Sequence, residues 1–563
     1  MQEAASAQTR SVPSNYSCYN TEAVAIDDWS TVDMAAFSQA TEQAGAQTLR
    51  LPGGETANYW NWEFTRSDGS TDGGVWEWYG AAPNFPLRPT LGTLPPGQEF
   101  QAYPFFLPEP LPPSLQFETE TRATLANVKP LVSNTGADAI WVVNMLTSTL
   151  DKELGHLRDA VALGMPVNRV ELGNELYFSL PNYIRPVNDG NPPPEAGGLP
   201  TPAIYAEKAK AWAQAIKNDP ILGKAANPNL QIGITGVADS NNLDPRINSW
   251  MSAIQTPSGA DNLSAMDVVD AFTIHPYYNA SDIGVTQADV GNSARAGAIA
   301  RAGIAALRSI LADPTIHTPA LQDKRLWITE HNIIENDQVV LGNSWVGALM
   351  VDMHGHEFLK DARADLSCAH VLTGNPQWQA IANEQGTVID PTKRGIEDRP
   401  FGNIAQPFSS TANGLVLGKS ADIFTQGTAT LLQSGATSIA WRVENSAADK
   451  ISAINAGDIG ELLELPTGKL WKVVTLSSDP WATVTGDADL ETTIELIAGG
   501  NTITLSPFSK LIATADSQSV PEPATALGFG LVAAGLMLSR RREQGAPRFS
   551  KAASQSASPL KAA

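Results

Sequence analysis

Between residues 18 and 424 short apolar runs alternate with longer amphipathic stretches, eight times over. The runs cover 18–26, 46–51, 139–145, a stretch ending at Gly173, 230–235, 268–274, 326–329 and 369–372. Behind each comes a segment whose apolar residues recur at helical spacing: 33–43, 119–134, 150–163, 203–217, 248–254, 294–311, 345–359 and 415–424. Strands separated by helices cannot pair as hairpins; the long crossover makes them parallel. Eight parallel units predict a closed barrel rather than an open sheet. Helix ends agree, with Ser30 or Thr31 placed to cap the first helix and Gly45 to end it.

The alternation stops near residue 429, where short runs at 437–443, 492–497, 502–505 and 511–515 are separated by Gly, Asn and Asp. That texture predicts an appended β-sandwich. The expected architecture is therefore α/β: a (β/α)8 TIM barrel over 16–428, a β-sandwich over 429–517, and a short hydrophobic helix within 518–543. Residues 1–15 and 544–563 are expected to be disordered. A chain of 563 residues has room for both domains.

A formal net charge of −22, spread along the chain, repels phosphate backbones and excludes nucleic acid as a partner. Two cysteines, Cys18 and Cys368, with no C-x-x-C, exclude a cysteine-based zinc or redox centre. They are either buried thiols or a bridge. The second reading follows from topology, because Cys18 and Cys368 lie near the starts of the first and eighth strands, which are neighbours in a closed barrel.

Active sites of such barrels sit at the C-terminal ends of the strands. Those ends deliver Arg50, Asn144, Asn174, Glu175, His275, Tyr277, Tyr278, Glu330 and His370. Two carboxylates stand in this polar ring, Glu175 in RVELGNELYF (169–178) and Glu330 in RLWITEHN (325–332). A carboxylate at the end of a buried strand is costly unless it is paired or used. Glycoside hydrolysis needs two such groups, one to protonate the departing oxygen and one to attack the anomeric carbon or activate water. Tyr277 could donate to the nucleophile, Arg50 could keep it ionised, and Asn174 could hold a sugar hydroxyl. The bland readings are a turn at 173–175, a barrel-end pairing of Glu330 with His331 or Arg325, and a packing role for His275. The tryptophans of the loop after the second strand, Trp60, Trp62, Trp76 and Trp78, could be core, but aromatic faces in a polar loop favour sugar stacking for some of them. No cofactor is expected: Rossmann and P-loop motifs are absent, and His354 and His356 stand two apart on a helix rather than on one face.

At these residues the chain resembles the clan A glycoside hydrolases, through G-N-E after strand four, H-P-Y-Y after strand six and I-T-E after strand seven. RLPGGETANYWNW (50–62) resembles the strand-two region of the arabinofuranosidase and heparanase-like β-glucuronidase families, and LSPFSKLI (505–512) one of the last strands of their sandwich. The resemblance covers roughly 18–515. It implies Glu175 as acid/base, Glu330 as nucleophile, retention of configuration, and Asn174, Tyr277, His275 and Arg50 as supporting groups. The implied partner is a polysaccharide or oligosaccharide. The rival reading is an inactive carbohydrate-binding surface protein on the same fold.

Near the C-terminus, Pro521-Glu522-Pro523 precedes an apolar run at 524–538 and then Arg540-Arg541-Arg542. This resembles a PEP-CTERM sorting signal, which implies exosortase-type machinery as a partner; the alternative is a weak membrane anchor. Either places the globular part outside the cytoplasmic membrane. Residues 1–14 are polar, with no apolar core of a secretory signal visible.

Overall fold

The computed structural model describes residues 8–516, apart from 66–70, 73–74, 77–123, 178–200, 241–243, 336–339, 374–378, 384–407 and the loop positions 22, 24–25, 27–28, 55–56, 59, 63, 146–147, 343 and 447. Eight parallel strands form the barrel: Ser17–Asn20, Thr48–Leu51, Asp138–Val143, Arg169–Leu172, Gln231–Thr235, Ala271–Ile274, Arg325–Ile334 and Ala364–Ala369. Each pairs with the next, and the eighth returns to the first with Cys368 opposite Cys18. Helices follow the strands in turn: Met34–Gln43, Leu125–Thr135, Leu150–Ala162, Pro202–Asn218, Pro245–Gln255, Ser293–Leu311, Trp345–Phe358 and Ala412–Ala421. The predicted fold class holds.

Helix starts are set by short polar caps. Thr124, Thr149, Thr201, Asp244, Asn292, Ser344 and Thr411 each accept a first-turn N–H. The first helix is capped by Asp33, not by Ser30 or Thr31: Thr31 ends a 3-10 turn, and the Asp33 carboxylate takes the Ala35 and Ala36 amides at 3.1 Å.

The barrel interior is filled by Ile140, Ala271, Trp327, Leu366, Cys18 and Cys368, contributed by strands around the ring. Trp327 reaches across to the fifth strand, where a Cβ on Gly233 would lie 2.6 Å from its ring. Cys18 and Cys368 form a disulfide, so the predicted bridge is present. The eighth strand starts five residues before its expected position at 369. Its outward residues, Asp365 and Ser367, are polar and masked the apolar rhythm; they are paired with Arg325 at 2.6 Å and His331 at 3.0 Å. The seventh strand runs past Glu330 because Tyr277–Asn279 pairs alongside its extension.

The second domain is a seven-stranded antiparallel sheet in the order Thr9–Val12, Gly427–Ser434, Ser438–Glu444, Asp449–Asn455, Ser509–Ala515, Leu470–Ser477, Glu491–Ala498, with Glu461–Glu464 and Thr502–Leu505 as a separate pair. Part of the segment expected to be disordered is thus ordered. Thr9–Val12 forms an edge strand with Val12 buried, and Arg10 donates to the carbonyls of Leu359, Asp361 and Ala364 at 3.3, 2.6 and 2.7 Å. Those partners lie 349 to 354 residues further along the chain, so no local pattern announces them. Where helix Trp345–Phe358 meets the sheet, the Lys510 ammonium is fully buried between the Asp352 carboxylate and Ser452, each at 2.7 Å. Trp345 Nε1 donates to Phe508 O at 2.7 Å across the same boundary. The proline–glutamate–proline segment, the apolar helix expected in 518–543, the basic triplet and the tail 544–563 lie outside the described residues. Among those described, no helix is long and apolar enough to cross a membrane.

Candidate active site

The fourth strand ends at Leu172 and turns sharply. Gly173 has φ +81°, and a Cβ there would sit 2.7 Å from the Leu176 side chain. Glu175 itself lies at φ +46°, a left-handed conformation that is costly for a residue with a side chain. Two flanking bonds hold it: Asn58 accepts from the Asn174 amide at 3.0 Å and donates to the Asn174 carbonyl at 2.6 Å. The turn throws Glu175 over the barrel mouth, where its carboxylate accepts from Tyr177 at 3.1 Å and meets His275 Nδ1 at 2.9 Å.

Glu330 stands on the seventh strand and is far more enclosed, its side chain 6% exposed against 21% for Glu175. It accepts from Arg50 Nη1 at 2.6 Å, Tyr277 at 2.9 Å and Asn20 Nδ2 at 3.4 Å. Burial opposes its charge, but His275, Arg50 and Tyr277 together hold its carboxyl well below the usual carboxylate range. A carboxylate oxygen of Glu330 lies within 4.8 Å of one from Glu175.

Arg50 is the hub of the ring. Fully buried, it donates to Glu171 at 2.6 Å, Glu330 at 2.6 Å, Asn174 Oδ1 at 2.7 Å and Asn20 Oδ1 at 3.3 Å. Burial pulls its pKa down, and the two carboxylates more than reverse that. One guanidinium thus fixes side chains from the first, fourth and seventh strands, which a lysine could not do with a single point charge. His275 is also buried; Glu330 and Glu175 outweigh the desolvation and raise its pKa. Its Nε2 faces Thr329 at 2.9 Å. His370, pushed down to about 4 by burial with Arg50 and His275 adding to it, is neutral at ordinary pH. Its Nδ1 lies 2.6 Å from Asn20 Nδ2, which fixes Nδ1 as the acceptor.

Of the residues predicted from sequence, Arg50, Asn174, Glu175, His275, Tyr277 and Glu330 come together. Asn144 does not join the carboxylates: its Nδ2 donates to Trp60 O at 3.1 Å and ties the third strand to the aromatic loop. Trp60 and Trp62 are buried and pack edge to face, with Trp62 against Trp141, so the sugar-stacking role favoured for these loop tryptophans gives way here to core packing. Tyr59, Trp78 and Tyr79 lie outside the described residues. Sequence reasoning missed Asn20, Asn58, Glu171, Tyr177 and Thr329. Glu171 carried a signal, a carboxylate inside an apolar strand, with Thr329 donating to it at 3.0 Å. Asn58 and Tyr177 carried none, because their partners are set by the loop path.

Glu175, His275 and Glu330 offer donor atoms close enough together for an ion. The Arg50 guanidinium already holds Glu330, and its fixed positive charge opposes a cation beside it. The Asn174 Nδ2 is buried and has no hydrogen-bond partner among the described residues.

No protein-family model matches the chain, and no curated protein is significantly similar to it in sequence. Its fold is shared with solved glycoside hydrolases. A family 51 α-L-arabinofuranosidase from Bifidobacterium longum superimposes with a TM-score of 0.57 at 17% identity, over 91% of this chain and 98% of that one. A family 51 arabinofuranosidase from Xanthomonas axonopodis pv. citri gives 0.53 at 12% identity, over 85% and 89% of the two chains.

Proposed function

We propose that the protein is a retaining glycoside hydrolase in which Glu330 is the nucleophile and Glu175 the acid/base. The observation that carries this reading is the paired carboxylates, within 4.8 Å at their nearest oxygens and in opposite environments. Such closeness suits direct attack; an inverting pair stands about 6.5–9.5 Å apart to admit water. Glu330 is kept ionised by Arg50 and Tyr277 and so is ready to attack the anomeric carbon. Glu175, more open to solvent, protonates the departing oxygen and then takes a proton from the incoming water. Asn174 Nδ2 donates to a sugar hydroxyl beside the reacting carbon. The acid/base lies against His275, which can exchange charge with it as the proton moves.

The substrate in this reading is an extracellular polysaccharide or glycoconjugate. The disulfide, at home outside a reducing cytoplasm, supports an exported protein. The sorting segment at 520–542 supports the same address and brings exosortase-type machinery as a partner. The similarity to arabinofuranosidases puts arabinofuranosides first among the sugars to try. An inactive carbohydrate-binding protein remains the rival; the intact pair of glutamates speaks against it.

The test is hydrolysis of aryl arabinofuranosides, xylosides, glucosides and glucuronides, with Glu175→Ala and Glu330→Ala as controls. Turnover that disappears in Glu330→Ala, with the first-formed sugar keeping its anomeric configuration, is the expected result. Full activity in Glu330→Gln would overturn the assignment of the nucleophile. Silence on the whole panel and on polysaccharide digests would favour the binding protein.

A further inference from the structure

The disulfide lies one layer beneath Asn20 and His370, which contact the proposed nucleophile. Cys18 and Cys368 are opposite each other in the parallel register of the first and eighth strands, and both side chains belong to the packed layer inside the barrel. Side chains two residues apart on a strand share a face, about 6–7 Å further along. Two residues beyond Cys18 is Asn20; two beyond Cys368 is His370. These two touch each other at 2.6 Å, and both touch Glu330, at 3.4 Å from Asn20 Nδ2 and 3.7 Å from His370 Nδ1. Asn20 Oδ1 in addition accepts from Arg50 at 3.3 Å and from the Gly54 amide at 3.1 Å.

Accepting that the site hydrolyses glycosides, we propose that the Cys18–Cys368 bridge is a positioning device for Glu330, clamping the seam of the barrel so that Asn20 and His370 stay against the nucleophile. Three residue pairs are in register between the two strands, as between the first and second, and Ser367 N–Tyr16 O and Leu372 N–Asn20 O, each at 2.9 Å, flank them; the bridge is the covalent tie among these contacts. The segments they join are 350 residues apart, so no local turn fixes their spacing. The strand spacing at the cysteine layer then sets the spacing of the Asn20–His370 pair one layer above. The other groups facing Glu330 come from elsewhere in the barrel: Arg50 from the second strand, His275 and Tyr277 from the sixth and the segment after it, Glu175 and Glu171 from the fourth. Arg50, His275 and Tyr277 favour the charge on that carboxylate and the two glutamates oppose it; none of the five joins the first strand to the eighth.

The experiment compares the wild type with Cys18→Ala/Cys368→Ala on the glycoside that the wild type hydrolyses best. The double variant is expected to keep its far-ultraviolet dichroism and its KM within about twofold. Its kcat is expected to fall by about tenfold to a hundredfold, the scale of a small misplacement in a preorganised site. Weaker contacts on Glu330 raise its pKa, so the acidic limb of kcat/KM moves upward, by about one unit. Asn20→Ala with the bridge intact should move the limb the same way. Adding Asn20→Ala to the cysteine variant should add little, because both act through one contact. A folded cysteine variant with wild-type kcat and an unmoved acidic limb would overturn the proposal while leaving the hydrolase reading intact. If the cysteine variant does not fold, the native enzyme reduced with a phosphine, its two thiols counted by alkylation, takes its place. Full turnover with both thiols free would equally overturn it. A wild type that hydrolyses nothing removes the hydrolase reading and this inference with it.

Discussion

Replacing Tyr277 with phenylalanine removes one oxygen from the site and little else. The ring keeps its place, edge to face with His370 at 6.2 Å, and the change conserves volume. What is lost is the 2.9 Å hydrogen bond to Glu330 Oε2. A hydrogen bond to a charged group contributes about 1.5–3 kcal/mol. It acts on the carboxylate and not on the protonated acid, so at about 1.36 kcal/mol per unit the Glu330 pKa should rise by about one to two units. Arg50 and His275 remain, so the carboxylate is still ionised at neutral pH. The rate at pH 7 therefore suffers less than the rate in acid. The assay is the pH dependence of kcat/KM on an aryl glycoside, in which the acidic limb should shift upward by that amount. Stability carries the same sign. Glu330 is held below its ordinary value of 4.5, so its contribution is present above that pH and is lost as pH falls toward about 2. Tyr277→Phe narrows that window, and its melting temperature near neutral pH should drop. A Tyr277→Phe profile that overlays the wild type would refute the argument that Tyr277 holds the nucleophile ionised.

Three further outcomes are expected. Gly233→Ala drives a Cβ to 2.6 Å from the Trp327 ring inside the barrel and should cost about 1–3 kcal/mol in urea denaturation. Lys510→Met leaves the buried Asp352 carboxylate unpaired and should cost about 3–5 kcal/mol, most of it recovered by adding Asp352→Leu; no recovery would show that the pair is not what joins barrel to sheet. His354, His356 and His370 are pushed by burial to about 3, 4 and 4. Their unfolded forms bind protons first, so stability should fall as pH drops below about 6.5, by about 2 kcal/mol for each at pH 5. Among the described residues the opposite trend comes from His275 and, near the acid end, from Glu335, whose carboxyl burial pushes up. Thermal melts from pH 7 to 4.5 check the balance, and a flat profile would contradict it.

The barrel was legible because its signal is local and repeated. Each strand is a short apolar run and the helices carry caps and apolar faces, Trp345–Phe358 being apolar nearly all round, so eight units could be counted without knowing any contact. The eighth strand was misplaced because its outward residues, Asp365 and Ser367, find their partners in the seventh. Four sandwich strands, Gly427–Ser434, Asp449–Asn455, Glu461–Glu464 and Leu470–Ser477, went unrecognised, and so did the edge strand Thr9–Val12, whose partners lie more than 400 residues away. Strand pairing in an antiparallel sheet is set by neighbours distant in sequence, and polar residues face out along it.

The sequence by itself determined which side chains stand at the barrel mouth. Position at a strand end decides that, and Arg50, Asn174, Glu175, His275, Tyr277 and Glu330 could all be named from it. Only the tertiary structure decided what those groups do to one another. That Arg50 binds Glu171 and Glu330 together, that Asn58 steadies the strained Glu175, and that a disulfide lies beneath Asn20 and His370 depend on distances across the barrel. Electrostatic coupling and hydrogen bonding fall off within a few ångströms, and no spacing along the chain reports separations of that size between strands folded from opposite ends of it.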